Sequence, residues 1–405
     1  MIDNSSINHN YCPMPNSRLH WTAFLRDVLI CSLGAYGGPE AHFSVFLDQM
    51  VSKRKYLSEA ELVELVALCS ILPGPTSTQA IVSMGYKAGG PLLALLTMFV
   101  WAIPVMFVMG ALSFLYQFLE VRKISFQVLR FIGPMAVGFI IVAAFRIGRK
   151  VVTDLPTALL MAGSALATYF FREPWIFPVL LLCGGFASIL LSKETDIWNK
   201  VAMNPPWAYL ALFVLFALGG LVLANLTQNR LALLFENFYR YGYLVFGGGQ
   251  VVVPVMHSEL VHVRQYLSNQ EFLTGYGLVQ GLPGPMFSFA AYAGGMAARD
   301  GTTAHQILGA IISGISIFLP GLLLIYFVYP IWETLKQVRA IRISLRGIGA
   351  VAGGLIAIAA VTLTQASGFA PENLVATGLS VLLLVSRKIP APLIVLAALG
   401  AGIML

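Results

Sequence analysis

Apolar runs of about twenty residues recur along the chain, at 206–227 and 311–330 for example, with short polar or basic stretches between them. That length matches the hydrocarbon core of a bilayer crossed as α-helix. A membrane barrel would instead show segments of about ten residues alternating in polarity, so the pattern predicts an all-α polytopic membrane protein. Long helices are expected at about 91–118 and 303–330, and shorter apolar segments at about 125–148, 155–171, 175–191, 343–365, 373–386 and 390–404. Two further apolar stretches in each half are interrupted by Gly and Pro, around Gly37-Gly38-Pro39 and Pro73-Gly74-Pro75, then around Gly247-Gly248-Gly249 and Pro283-Gly284-Pro285. Proline removes an amide donor and glycine admits unusual backbone angles, so the helices are expected to break there.

These interruptions belong to an internal duplication. Residues 37–75 and 247–285 align without a gap and share 14 identities in 39 positions, from Gly37/Gly247 to Pro75/Pro285. Beyond them the halves realign with a shift of 216, which pairs Gly133 with Gly349 and Ala143-Ala144 with Ala359-Ala360. The expected organisation is a polar tail (1–19), a first repeat (20–190), a linker with one unpaired transmembrane helix (191–229) and a second repeat (230–405). One extra crossing between halves that each cross an even number of times would invert the second repeat. The charges speak both ways. Matching basic clusters at 122–130 and 336–346 favour parallel halves, whereas Arg146, Arg149 and Lys150 have no basic counterpart at 362–366. The unpaired span carries more weight, and two inverted repeats are expected.

Composition narrows the partners. Hydrophobic residues make up 58% and charged residues 11% of the 405 positions, too little polar surface for a soluble globule of this size. The net charge of +7 is gathered in short clusters between apolar runs, the pattern of loops at anionic headgroups, so a lipid bilayer and no nucleic acid is the expected partner. The first 20 residues are polar and do not read as a cleavable signal peptide. Cys12, Cys31, Cys69 and Cys183 show no metal-ligand spacing, so no metal, cofactor or disulfide is expected.

The candidate chemistry lies at the breaks. A helix restarting after Pro-Gly-Pro presents free amides and a positive dipole end, a ready site for an oxyanion. The candidate substrate-binding residues are therefore Gly37, Gly38, Pro39, His42, Ser70, Pro73, Gly74, Pro75, Thr76 and Ser77 in the first half. In the second they are Gly247, Gly248, Gly249, Gln280, Pro283, Gly284 and Pro285. Gln280 and its repeat partner Ser70 each stand three residues before a Pro. Lys87, Arg146 and Arg299 read as snorkelling or loop residues. Glu61 and Glu271, following Ser58 and Ser268, read as helix capping. No catalytic constellation or nucleotide-binding loop is present in the sequence, which speaks against an enzyme. A membrane enzyme acting on lipid-linked phosphate would require an acidic pair or nucleophile near the breaks.

Gly-Gly-Pro followed by His42, then Tyr56-Leu57 and Leu72-Pro73-Gly74-Pro75, repeated as Gly247-Gly248-Gly249, Pro254, Tyr266-Leu267 and Gln280 with Pro283-Gly284-Pro285, resembles the chromate ion transporter family in its long, two-domain form. Ser70 departs from the glutamine usual in the family's first half, and Tyr56 and Tyr266 from the commoner tryptophan. The resemblance implies a secondary transporter in the bacterial inner membrane that exports an oxyanion, chromate above all, by alternating access where the repeats meet. Sulfate or another oxyanion, an anion channel, and assembly as a homodimer stay open at this point.

Overall fold

A computed structural model of the chain describes residues 20–37, 39–121, 125–171, 173, 175–192, 194, 204–246 and 249–404. Among the described residues all regular structure is helical. Gly38, Gly247, Gly248 and the side chains of Pro39 and Glu40 lie outside them.

The first half opens with α1 (Trp21–Gly34) and α2 (Pro39–Phe46), which continues as a π-helical turn, Leu47–Lys53. It goes on with α3 (Glu59–Ile71) and α4 (Thr76–Val121), which bends at Gly89 and Gly90. Each broken stretch doubles back on itself. Buried Asp27 of α1 accepts hydrogen bonds from Gln49 (2.9 Å), Arg54 (3.1 Å) and Tyr56 (2.7 Å), which ties the middle of α1 to the end of the α2 segment. Glu61, at the start of α3, pairs with Lys87 twelve residues past the Pro-Gly-Pro break. The half therefore contains two re-entrant hairpins whose tips are the sequence breaks. After them come the long part of α4, the short α5 (Ser125–Val128), and α6 (Ile132–Val151), α7 (Leu155–Phe170) and α8 (Ile176–Leu190).

The unpaired α9 (Trp207–Thr227) has nearly all of its apolar surface exposed, as a helix facing lipid requires. The second half repeats the plan with α10 (Arg230–Leu244), α11 (Val252–His257, extended by the π-helical Ser258–Val263), α12 (Asn269–Gln280) and α13 (Phe289–Ala297). Then follow α14 (Thr303–Val328), the short α15 (Trp332–Leu335), α16 (Arg339–Ser367), α17 (Pro371–Ser386) and α18 (Ala391–Met404). Among the described residues five helices are long and apolar enough to cross a bilayer. Ser58 and Ser268 close reciprocal capping boxes with Glu61 and Glu271, as the sequence suggested. The same Glu271 also holds Arg299 at 2.7 Å, closing the second-half hairpin. Lys87 and Arg299, which the sequence reading assigned to snorkelling, thus have structural partners.

Contacts between the halves fix their relative sense. Lys336, after α14, reaches Glu64 of α3 (2.6 Å), and Arg346 of α16 reaches Asp154 before α7 (3.3 Å). Those pairs gather the open ends of the first-half hairpins, the α6–α7 turn and the α14–α16 turn at one face. At the opposite face Arg130 pairs with Glu372, beside Ser268 and Asn269 at the open end of the α12–α13 hairpin, and Arg230 donates to the Ala297 carbonyl (2.7 Å). The hairpins of the two halves open to opposite faces, so the repeats are inverted. Packing also sorts the helices into two bodies, each drawn from both repeats. The hairpins gather around α4 and α14, while α6, α7, α8, α16, α17 and α18 form a wall that meets them chiefly through α12 on α6.

Candidate functional site

The tips of the hairpins interlock across the repeats. The Gly74 amide donates to the Val245 carbonyl and the Gly284 amide to the Ala35 carbonyl, both at 2.7 Å. Each Pro-Gly-Pro tip is thus held by the other half's Gly-Gly tip. Both glycines sit at positive φ, +126° and +98°, where a side chain would be strained. Gln79 reaches back from the first turn of α4 to donate to the Pro73 carbonyl (2.8 Å), satisfying an acceptor that the break leaves open.

Against these tips lies a cavity of about 350 Å³. From the first half it is lined by Gly37, His42, Pro75, Thr76, Ser77 and Thr78, and from the second by Gly249, Gln280, Gly284 and Pro285. The helices that restart at Thr76 and Met286 both begin on it. The first amides of a helix have no partner within it, so those of Thr76 and Ser77 are available to an anion. His42 is 2% exposed and stacks edge-on to Trp101. Its ring lies near the Ala35 carbonyl, but neither nitrogen reaches hydrogen-bonding geometry. Gln250 also lines the cavity and accepts a hydrogen bond from Tyr276.

The wall supplies what the sequence reading missed. Arg146, near the end of α6, lines the cavity and donates to the Leu384 carbonyl (3.0 Å), and Arg387, at the end of α17, lines it beside Ile389 and Ala391. No carboxylate lines it among the described residues. The one available signal was the repeat alignment, in which Arg146 stands where the second half has Thr362.

Four expected residues lie elsewhere. Pro73, Gly74 and Pro283 belong to the tips without lining the cavity, and the amides of Gly74 and Gly284 are committed to carbonyls. Ser70 sits on an exposed face of α3 with its hydroxyl donating to the Val66 carbonyl (2.7 Å), so it does not reach the cavity.

Inverted repeats with interlocked re-entrant tips, around a polar cavity within a lipid-facing helical shell, define a multi-pass membrane protein with the architecture of a solute carrier. The chain belongs to the chromate transporter family, whose profile matches residues 22–189 and again 232–403. It is 27% identical over 384 residues to the chromate transport protein of Pseudomonas aeruginosa, covering 91% of this chain and 88% of that one. It is also 27% identical over 381 residues to a probable chromate transport protein of Synechococcus elongatus, with 92% of each chain covered. An uncharacterized transporter of Bacillus subtilis, YwrA, matches at 29% identity over 181 residues, 42% of this chain but 96% of its own length. No solved structure matches the chain.

Proposed function

We propose that the protein is a secondary transporter that exports a tetrahedral oxyanion, chromate by its relatives' names, and that the anion binds unchanged in the cavity between the hairpin tips and the wall. One observation carries the reading. The cavity on which tips from both repeats and two restarting helices converge is also lined by Arg146 and Arg387 and, among the described residues, by no carboxylate. A dianion there meets two guanidinium groups, helix amides and the hydroxyls of Thr76 and Ser77, the donors that oxyanions require.

The charges at the two faces support the outward direction. One face carries Lys53-Arg54-Lys55, Arg149-Lys150, Lys336, Arg339, Arg342 and Lys388. The other carries Arg130, Arg230, Arg240, Arg264 and Arg299 among the described residues. By the positive-inside rule the first face is cytoplasmic. The cavity reaches that face at Arg146 and Arg387, so an anion enters from the cytoplasm. Alternating access then moves the hairpin body against the wall, each built from both repeats, instead of one repeat against the other.

The test is accumulation of chromate by everted vesicles from cells expressing the protein, with sulfate as competitor. Energised uptake above the external concentration supports export. Uptake that only equilibrates identifies a passive channel. Transport of sulfate unaffected by chromate would overturn the substrate.

A further inference from the structure

A second, smaller cavity of about 270 Å³ opens at the opposite face, between the wall and the α11 hairpin. It is lined by Thr168, His257, His262, Asn269, Thr362 and Gln365 and shares no lining residue with the central cavity. Its position follows from the duplication. Under the 216-residue shift, Val142, Arg146 and Leu384 of the central cavity correspond to Ile358, Thr362 and Thr168, all of which line the second one. It is therefore the inverted counterpart of the mouth that the central cavity opens toward the basic face.

The two mouths share a place in the fold and differ in charge. Arg146 and Arg149 are replaced by Thr362 and Gln365, and among the described residues no arginine or lysine lines the second cavity. The donors there are polar and deeply set. Thr168 is 7% exposed and its hydroxyl has no partner, while His257, 3% exposed, bonds Asn269 through Nε2 (2.8 Å) and takes the edge of the His262 ring. A buried hydroxyl without a partner is costly unless something else satisfies it.

We propose that this cavity is the vestibule through which the oxyanion leaves. Thr168, Thr362 and Gln365 hydrogen-bond it in passing, and the absence of a guanidinium there lets it go. The inference rests on the oxyanion reading above. A cation at the entrance and none at the exit favours capture on one side and release on the other, although the backbone of the two mouths is related by symmetry.

The test uses the full-length protein with its four cysteines replaced and its transport verified. A membrane-impermeant thiol reagent is applied to intact cells and to everted vesicles carrying Thr362→Cys or, on the wall of the central cavity, Ala143→Cys. Labelling of the Thr362→Cys protein from outside, and of the Ala143→Cys protein only in everted vesicles, is expected. Separately, Thr362→Arg should slow chromate efflux on the order of tenfold, because a new charged hydrogen-bond donor retains the anion. Thr362→Val, which adds no charge, should cost less, and it distinguishes retention from misfolding. Thr362→Cys protein that stays unlabelled from outside, or Thr362→Arg protein that exports at the parent rate, overturns the vestibule. A parent protein that moves no oxyanion overturns the functional reading itself.

Discussion

The Gly74 amide donates to the Val245 carbonyl across 2.7 Å, and its mirror image joins Gly284 to Ala35. Glycine is required there because positive φ aims the amide at the other repeat, and the break leaves no helical acceptor for it. Each hairpin tip is thereby ordered by the half to which it does not belong, so the site forms only when both halves fold together.

Replacing either glycine by alanine should act first on folding. A non-glycine residue in the left-handed region costs about 1–2 kcal/mol. At Gly74 the new Cβ would also sit 2.7 Å from Nε2 of Gln79, the group that holds the Pro73 carbonyl. At Gly284 the nearest atom is Val105 Cγ1 at 3.2 Å. Gly74→Ala should therefore lower the yield and melting temperature of detergent-solubilised protein more than Gly284→Ala, as read by size-exclusion chromatography and thermal unfolding. Equal behaviour of both variants and the parent would remove the interlock from the account.

A different loss is expected at Arg146. Truncating a guanidinium that faces the anion removes a charge-assisted hydrogen bond of about 1.5–3 kcal/mol, so Arg146→Gln and Arg387→Gln should each raise KM for chromate roughly ten- to a hundredfold. Arg146→Lys keeps the charge and loses the planar fork, and should fall between. Since Arg146 is exposed to the cavity, protein levels should not change. Vesicle uptake across a range of chromate concentrations gives KM and maximal rate separately.

Much of this was legible in the sequence, and the rest was hidden for identifiable reasons. The breaks, the duplication, the unpaired α9 and the capping boxes depend on local chemistry or direct alignment, and each could be read from residues close together. Arg146 and Arg387 lie far apart in sequence and meet only through packing of α6 against α17. The basic clusters at 122–130 and 336–346, which suggested parallel halves, contain Arg130 and Arg346, related by the 216-residue shift. One pairs with Glu372 and the other with Asp154, on opposite faces. In an inverted repeat matching positions stand on opposite faces, so a basic residue at both of them does not argue for parallel halves. Ser70 misled in another way. Its alignment with Gln280 is sound, but α12 packs along α6, with Leu273 against Gly133, while the matching face of α3 at Val63 and Ala67 is exposed.

That difference predicts the effect of substitutions. Ser70→Gln should leave chromate transport unchanged, because its side chain extends away from the cavity. Gln280→Ser should weaken binding, because it shortens a donor that lines it. Competition between sulfate and chromate in vesicles expressing each variant measures both. A change of preference in the Ser70→Gln protein would show that α3 reaches the site during transport.

The last prediction concerns a charge that the duplication has moved. In the first half the buried acid is Asp27 on α1, facing Gln49; at the matching positions the second half has Asn237 on α10 and Glu259 on the α11 segment. Each acid ties its hairpin together. Asp27 accepts from Gln49, Arg54 and Tyr56, and Glu259 from Arg240 (2.9 Å) and Tyr241 (2.9 Å). Asp27→Asn alone leaves Arg54, whose side chain is 39% exposed, without its acid and weakens the buried hydrogen bonds from Gln49 and Tyr56, a loss of about 1–3 kcal/mol. Adding Gln49→Glu restores an acid from the opposite helix, in the arrangement the second half already uses. The double variant should regain much of the stability that the single one loses, a coupling measurable as the non-additive part of a double-mutant cycle on melting temperature. If the second substitution restored nothing, the two hairpins would have to be closed by different means despite their shared sequence.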